Sequence, residues 1–337
     1  MEEFIIVSIV PYISILIPSF NSAGFIRQTL ESIAKQTFKN FEVIVIDDFS
    51  SDNSGLIISK YESSDTRFRL VSNNENSGPN FSRNKGISLA RGKYVMFVDS
   101  DDLLLPDALQ SVYNELSNSN FEILNFRFQF MENKKVLSKS SLSNSFLFGT
   151  EIMNSFLKGE FYSVCWNKVF LLDFLLSNKI HFVEDTVHGR DSLFVFDCMA
   201  SAGKVKSIEN ILYVSNVRVG SFSRSFTMKN IDSLLDNVEK LISRFTVIGV
   251  YRDDFYPYIA KHLRYMIVLS SFRIENFSEY RRAVMKLKSS GYFNSVYKWE
   301  TLKNLRASSL LITLMILFPN ILFFVAKVLK KLNFYPY

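Results

Sequence analysis

The sequence predicts an α/β protein with a mixed, mostly parallel sheet, followed by a helical C-terminal region. Three observations predict it. Short β-branched runs alternate with segments of helical apolar spacing through the first hundred residues. Several of these runs end in Asp- and Ser-rich turns, and ligands of open α/β sheets sit beyond the carboxyl ends of the strands. From about residue 231 to 305 the pattern changes to long amphipathic stretches.

Taken in order, Tyr12 to Ile17 and Phe41 to Ile46 read as strands closed by PSFN and DDFSSDNSG, with a helix over Ser22 to Gln36 between them. A helix over Asn53 to Ser63, a strand at Phe68 to Ser72, the loop NNENSGPN, a helix over Phe81 to Ala90 and a strand over Tyr94 to Val98 follow. Strands alternating with helices imply parallel pairing with both faces covered. Past Leu103, Pro106 opens a helix over Asp107 to Asn118 and Phe121 to Met131 alternates as a strand; SKSSLSNS at 138–145 is a polar loop. Residues 151–220 mix helices and short strands, including a helix over Ser192 to Ser201 and a strand over Ile211 to Ser215.

Composition narrows the function. Hydrophobic residues at 47% and charged residues at 21% exclude a disordered, collagenous or coiled-coil chain. The 33 Phe give the chain more sticky surface than a typical cytosolic enzyme and point to a membrane or a partner. Cys165 and Cys198 lie in apolar stretches, which suits free thiols, and three His with two Cys in no ligand-like spacing argue against structural zinc. Phe4 to Val10 imitates a signal peptide, but Glu2 and Glu3 stand where a positive segment belongs, so no secretion signal is read. Residues 251–337 carry 14 Lys and Arg against 5 Asp and Glu, so the basic excess is C-terminal.

Acidic residues at strand ends carry the chemistry. YVMFVDSDD puts Asp99, Asp101 and Asp102 after one strand, and EVIVIDD puts Asp47 and Asp48 after another, with Arg83 on the segment between. Two carboxylates one residue apart can share a hard cation such as Mg²⁺ or Mn²⁺ that also binds diphosphate oxygens. The alternative for an isolated DxD is a solvated turn with Asp102 capping a helix.

Together, SILIPSFN, ESIAKQTFKNFEVIVIDDFSSDNS and NENSGPNFSRNKGISLARGKYVMFVDSDD resemble the donor-binding half of the family 2 glycosyltransferases, whose nucleotide-sugar fold is GT-A. The likeness is nearly continuous over about residues 12–105 and weaker to about 225. It implies an inverting transfer of one sugar from a nucleoside diphosphate donor, a UDP-sugar above others, with Mn²⁺ or Mg²⁺ as cofactor. Position by position it implies donor binding by Pro18, Phe20, Asn21, Asp48, Asn76, Arg83, Asp99 and Ser100, and a metal ligand at Asp101. Phe20 stands where the family has a Tyr stacking on the base; it could also be a core aromatic beside its strand. Asp47 is expected to brace its loop.

An inverting transfer also needs a carboxylate base that deprotonates the acceptor hydroxyl. In HFVEDTVHGRDSLFVF the family pattern aligns Asp191 with that base, and Asp185 is the alternate. Arg190 stands where the family commonly has Glu, and a neighbouring guanidinium favours the ionised carboxylate. On the acceptor side the resemblance brings in Trp166 and Lys168 of CWNKVF, His188, and Arg218 of NVRVGS; Trp166 either stacks on a sugar or fills core.

Four regions follow: a donor half at 1–105, an acceptor-side half with the base at 106–225, a helical region at 226–306 and a membrane-associating tail at 307–337. Ala307 to Ala326 is uncharged and flanked by Lys and Arg, but Pro319 and Asn320 interrupt it. A span needs about 20 uninterrupted apolar residues. The expectation is therefore a shallow dip at the cytoplasmic face of the membrane, with a span, a buried helix or an interface helix as alternatives. The acceptor is then a lipid-linked or polysaccharide chain of bacterial surface polysaccharide synthesis. Rival readings are a nucleotidyltransferase, for which PSFNSAG lacks a basic phosphate loop, and a non-catalytic binding protein of the same fold. Nucleic acid is not expected as a partner.

Overall fold

Seven consecutive buried residues, Ile13–Ser19, form β1, and such a run is what a strand covered on both faces requires. The computed structural model describes residues 10–185, 190–217, 228–249, 274–289 and 318–331, with Phe255, Tyr258, Ile259, Leu263, Val268, Ser270, Ser271 and Phe272 between them. The chain divides into two units: Met1–Asn154, Glu160–Asp185 and Arg190–Arg218 form one, and Ser155–Gly159, Thr186–Gly189 and Val219–Tyr337 the other.

The first unit is built on one sheet. Parallel to β1 on one side lie β2 (Phe41–Asp47) and β3 (Phe68–Ser72), and on the other β4 (Tyr94–Phe97). The intervening helices are α1 (Ile26–Ala34), α2 (Ser54–Ser64) and α3 (Pro79–Leu89). The remaining elements are β5 (Leu103–Leu104), α4 (Ala108–Leu116), β6 (Ile123–Glu132), β7 (Lys135–Lys139), β8 (Ser145–Phe148), α5 (Thr150–Lys158), β9 (Lys168–Leu171), α6 (Leu172–Ser177), α7 (Arg190–Ser201) and β10 (Lys204–Asn216). The sheet runs β3-β2-β1-β4-β9-β6-β10-β5, with β7 on β6 and β8 on β10. β9 enters antiparallel between β4 and β6, so the parallel donor side turns mixed there.

Strand alternation assigns the faces. Ile13, Ile15, Ile17, Val43, Val45 and Met96 share a core with Leu30 of α1, Ile58 of α2 and Leu109 of α4. The opposite face carries Leu16, Ile46 and Phe97. There α3 sits so close that a Cβ on Gly86 would lie 3.1 Å from Leu16 and Ile46. Phe97 meets Phe194 of α7 edge-on, and Phe194 stacks on Phe182 at 3.9 Å. α3 and α7 therefore share one face of the sheet.

Departures from the sequence reading have local causes. α1 starts at Ile26 because the Ser22 carbonyl accepts the N–H groups of Phe25 and Ile26 in a tight turn. α3 starts earlier than expected, at Pro79, since Gly78 takes φ +87° and proline suits the first helical position. Charged Lys204, Lys206 and Glu209 hid most of β10. The loop expected at 138–145 is partly strand at both ends. β6 and β7 form a hairpin across Asn133 and Lys134, both at positive φ, which fits the turn that matches strand twist.

In the second unit, α8 (Met228–Val247) buries Ile231, Leu234, Val238, Leu241 and Phe245 at helical spacing, and Phe245 stacks on Phe255. The helices α9 (Phe277–Ser289) and α10 (Pro319–Lys331) pack through Tyr280 and Phe323, with ring centroids 5.0 Å apart. Among the described residues no helix is long and apolar enough to cross a membrane. Pro319 opens α10, where a proline is tolerated; residues 307–317 of the apolar run lie outside the described residues.

Candidate active site

The parallel register aligns Ser19 with Asp47 and Asp47 with Ser72, so the carboxyl ends of β1, β2 and β3 form one rim. Pro18 is buried at the end of β1. The chain then turns out through Phe20, which is 49% exposed, so it is no core aromatic. Asn21 takes φ +47° and ties this turn to the next loop: its Oδ1 accepts from Ser51 N at 2.9 Å and its own N–H donates to Ser50 Oγ. Asp47 braces that loop by accepting from Ser50 N and Oγ, as the sequence suggested.

Asp48 is buried and faces the following loop. It accepts from Asn73 Nδ2 at 2.7 Å, Ser77 N at 2.9 Å and Gly78 N at 2.7 Å. The carboxylate thereby fixes the entry to α3, beside which Asn76 is exposed.

Arg83, on α3, is the hub. Its Nη2 donates to Asp99 Oδ1 at 2.9 Å, and its Nη1 reaches Asn80 Oδ1 at 3.3 Å and Asp191 Oδ1 at 3.4 Å. Asp191 stands in the first turn of α7 and also accepts from Cys165 N at 3.2 Å. Burial opposes the Arg83 charge, but Asp191 and Asp99 hold its proton affinity above the ordinary arginine value. The Asp99 carboxyl is pushed up by burial and by Asp191 and Asp101, against the pull of Arg83.

The DSDD turn is held from β10. Tyr213 Oη donates to Asp102 Oδ2 at 2.7 Å and accepts from Asp99 N at 3.1 Å. Asn216 N donates to Asp102 Oδ1, and Asn216 Nδ2 to the Asp101 carbonyl. Burial, then Asp101 and Asp99, raise the Asp102 carboxyl well above the usual range. The Ser100 carbonyl accepts from Thr29 Oγ1. Sequence reasoning missed Tyr213 and Asn216; the one available signal was a second Asp after DxD, which needs donors once buried.

Trp166 goes to core: it stacks on Tyr213 at 4.8 Å with planes 20° apart. Lys168, expected on the acceptor side, is fully enclosed. Its Nζ donates to the carbonyls of Tyr162 and Val164 and to Asn167 Oδ1, so all three donors are spent on the loop before β9. That corrects the expectation of a ligand contact. Burial lowers its pKa to about 7. Asp185 is exposed in a turn before α7. His188 and Arg218 lie outside the described residues, as does the Arg190 side chain. Cys165 and Cys198 are buried free thiols.

Among the described residues no group of three or more His, Cys, Asp or Glu could cage a metal ion. A hard cation shared with phosphates needs only one or two carboxylates. Asp101, half-buried on the turn, and Asp99, with about a third of its side chain exposed, fit that smaller demand.

The family model described as glycosyl transferase family 2 matches residues 14–176. The cholesterol galactosyltransferase of Borreliella burgdorferi is 31% identical over 245 residues, 69% of this chain and 68% of that protein. The succinoglycan biosynthesis protein ExoO of Rhizobium meliloti is 26% identical over 254 residues, 72% of this chain and 71% of its own. Among solved structures, S. aureus TarS 1–349 in complex with UDP-GlcNAc superposes with a TM-score of 0.68 over 96% of this chain and 93% of that one, at 19% identity.

Proposed function

This chain belongs to glycosyl transferase family 2 and is a glycosyltransferase of the GT-A fold, and from that premise we propose that it inverts the anomeric centre of a UDP-sugar while moving it to a lipid-linked or polysaccharide acceptor. The observation that carries the reading is the Arg83 bridge, which draws the strand-end Asp99 and the helix-start Asp191 to one guanidinium. In the transfer, Asp191 takes the proton of the acceptor hydroxyl as that oxygen bonds to the anomeric carbon. The bond from that carbon to the diphosphate breaks on the opposite face, and UDP leaves. Arg83 and the Cys165 N–H each bind one oxygen of Asp191 and orient it.

Phe20 supports the uracil ring, with Pro18, Asn21, Asp48 and Asn76 shaping the nucleotide side and Ser100 beside the diphosphate. Mn²⁺ or Mg²⁺, held by Asp101 with Asp99 near, would supply charge stabilisation to the departing diphosphate. UDP-GlcNAc in the TarS complex and the succinoglycan role named for ExoO support a UDP donor and a bacterial surface polysaccharide as product. The enzyme works at the cytoplasmic face of the membrane, held there by the C-terminal tail at 307–337.

The test is a panel of UDP- and GDP-sugars incubated with the full chain and Mn²⁺, reading release of free nucleoside diphosphate. Release from one UDP-sugar is expected. Release from none of the panel, or release only from GDP-sugars, would refute the donor assignment.

A further inference from the structure

Helix α10 is apolar on two sides. Leu322, Phe323 and Ala326 are buried, and Phe323 packs on Tyr280 and Phe277 of α9. The other side shows Ile321 and Val328, and with Phe318, Phe324 and Met285 of α9 these five are 54–61% exposed or, for Phe324, 63%. Such spacing is one stripe of a helix, and contiguous exposed apolar patches mark interaction sites.

Basic residues frame this stripe. A groove of about 500 Å³ runs between Arg281, Met285 and Lys288 of α9 and Phe318, Asn320 and Ile321. Arg282 is exposed on the same helix, and no acidic residue follows Glu300 in the chain. Lys327 is spent inside, donating to the Ile274 carbonyl and pairing with Glu275, so it adds nothing outward. Thirteen residues of helix make about 20 Å, too short for a hydrocarbon core of ~30 Å. A short helix with an exposed apolar stripe and basic flanks suits the plane of a membrane interface.

We propose that the α9–α10 face docks on an anionic phospholipid bilayer, with lipid phosphates at Arg281 and Lys288 and acyl chains against Ile321, Phe324 and Val328. This rests on the reading of a membrane-based acceptor and adds the surface that meets the lipid: a face of two helices, not the linear tail alone. Charge complementarity favours the bilayer over a second copy of the chain, because two such basic faces would repel each other.

The experiment floats the full chain with vesicles of phosphatidylcholine alone or with 30% phosphatidylglycerol. Binding at least about tenfold stronger to the anionic vesicles is expected, weakening as salt rises. Ile321→Asp with Val328→Asp should abolish it, and Arg281→Glu with Lys288→Glu should remove the preference for phosphatidylglycerol. Ile321, Val328 and Arg281 are exposed and Lys288 is half-buried, and circular dichroism checks the fold of both variants. Equal binding to both vesicles, or undiminished binding by the folded variants, overturns the proposal. So does a wild-type dimer that the apolar variant converts to monomer without loss of vesicle binding. Nucleoside diphosphate release without lipid should be the same in all variants. Vesicle binding by a wild type that releases no nucleotide would sink the catalytic reading and leave the docking surface standing.

Discussion

Arg83 and Asp191, 108 residues apart in the chain, meet at 3.4 Å because α3 and α7 cover the same face of the sheet. Replacing Arg83 with Met strips the counter-charge from two carboxylates at once. Breaking a buried ion pair from one side costs about 3–5 kcal/mol. Arg83→Met is therefore expected to lower the unfolding free energy by that order and to remove transfer, measured by denaturant titration and by UDP release.

The base assignment separates two carboxylates. Asp191→Asn should keep UDP binding and lose transfer by at least about a hundredfold, the lower bound for general base catalysis. Asp185→Asn should stay within a few-fold of the parent. If the two results exchange places, the base is Asp185 and the Arg83 bridge has only a structural purpose.

Metal dependence is tested at Asp101. Asp101→Asn should weaken Mn²⁺-dependent UDP binding and nearly abolish transfer, with the melting temperature almost unchanged. A calorimetric titration with and without Mn²⁺ reads this directly, and metal-dependent binding equal to the parent's defeats the assignment.

Lys168 makes a pH prediction. Its folded pKa of about 7 lies below the ordinary lysine value, so folding favours the neutral amine. The stability this supplies is present at high pH and declines as pH falls toward about 7, below which the group is charged in both states and the loss is complete. Lys168→Met cannot titrate. Its stability relative to the parent should therefore improve from pH 10 to pH 7 and then level off. A difference that stays constant over that range would mean the three acceptors around Nζ keep the ammonium charged.

Tyr213→Phe deletes one hydroxyl and leaves Asp102 with the Asn216 N–H while Asp99 N loses its acceptor. A loss of about 1–3 kcal/mol is expected for buried groups left unpaired. Because the DSDD turn loosens, UDP affinity with Mn²⁺ should fall alongside it, whereas a purely structural tyrosine would leave affinity alone.

The legible parts of this fold are those where one local rule dominates. β1, β2 and β4 are buried on both faces, so their apolar runs stand out in the sequence. Most of β10 escapes the sequence because Lys204, Lys206 and Glu209 interrupt its apolar residues, although the strand lies inside the sheet between β6 and its partners β5 and β8. The placement of Asp99, Arg83 and Asp191 on one rim was readable through a family resemblance, since proximity across 108 residues leaves no local trace. Lys168 shows the opposite failure. The family resemblance puts Lys168 on the acceptor side, and only the enclosing carbonyls of Tyr162 and Val164 reveal an internal tie.

The stack of Trp166 on Tyr213 has an optical consequence. The chain holds only two tryptophans, Trp166 and Trp299. With Trp299→Phe, all indole emission would come from a ring lying 4.8 Å from the tyrosine whose hydroxyl holds Asp102 and the Asp99 N–H. Any shift of the DSDD turn on nucleotide binding would pass to that ring as a change in emission intensity or wavelength. Stopped-flow fluorescence could then time loop movement against sugar transfer without any attached label.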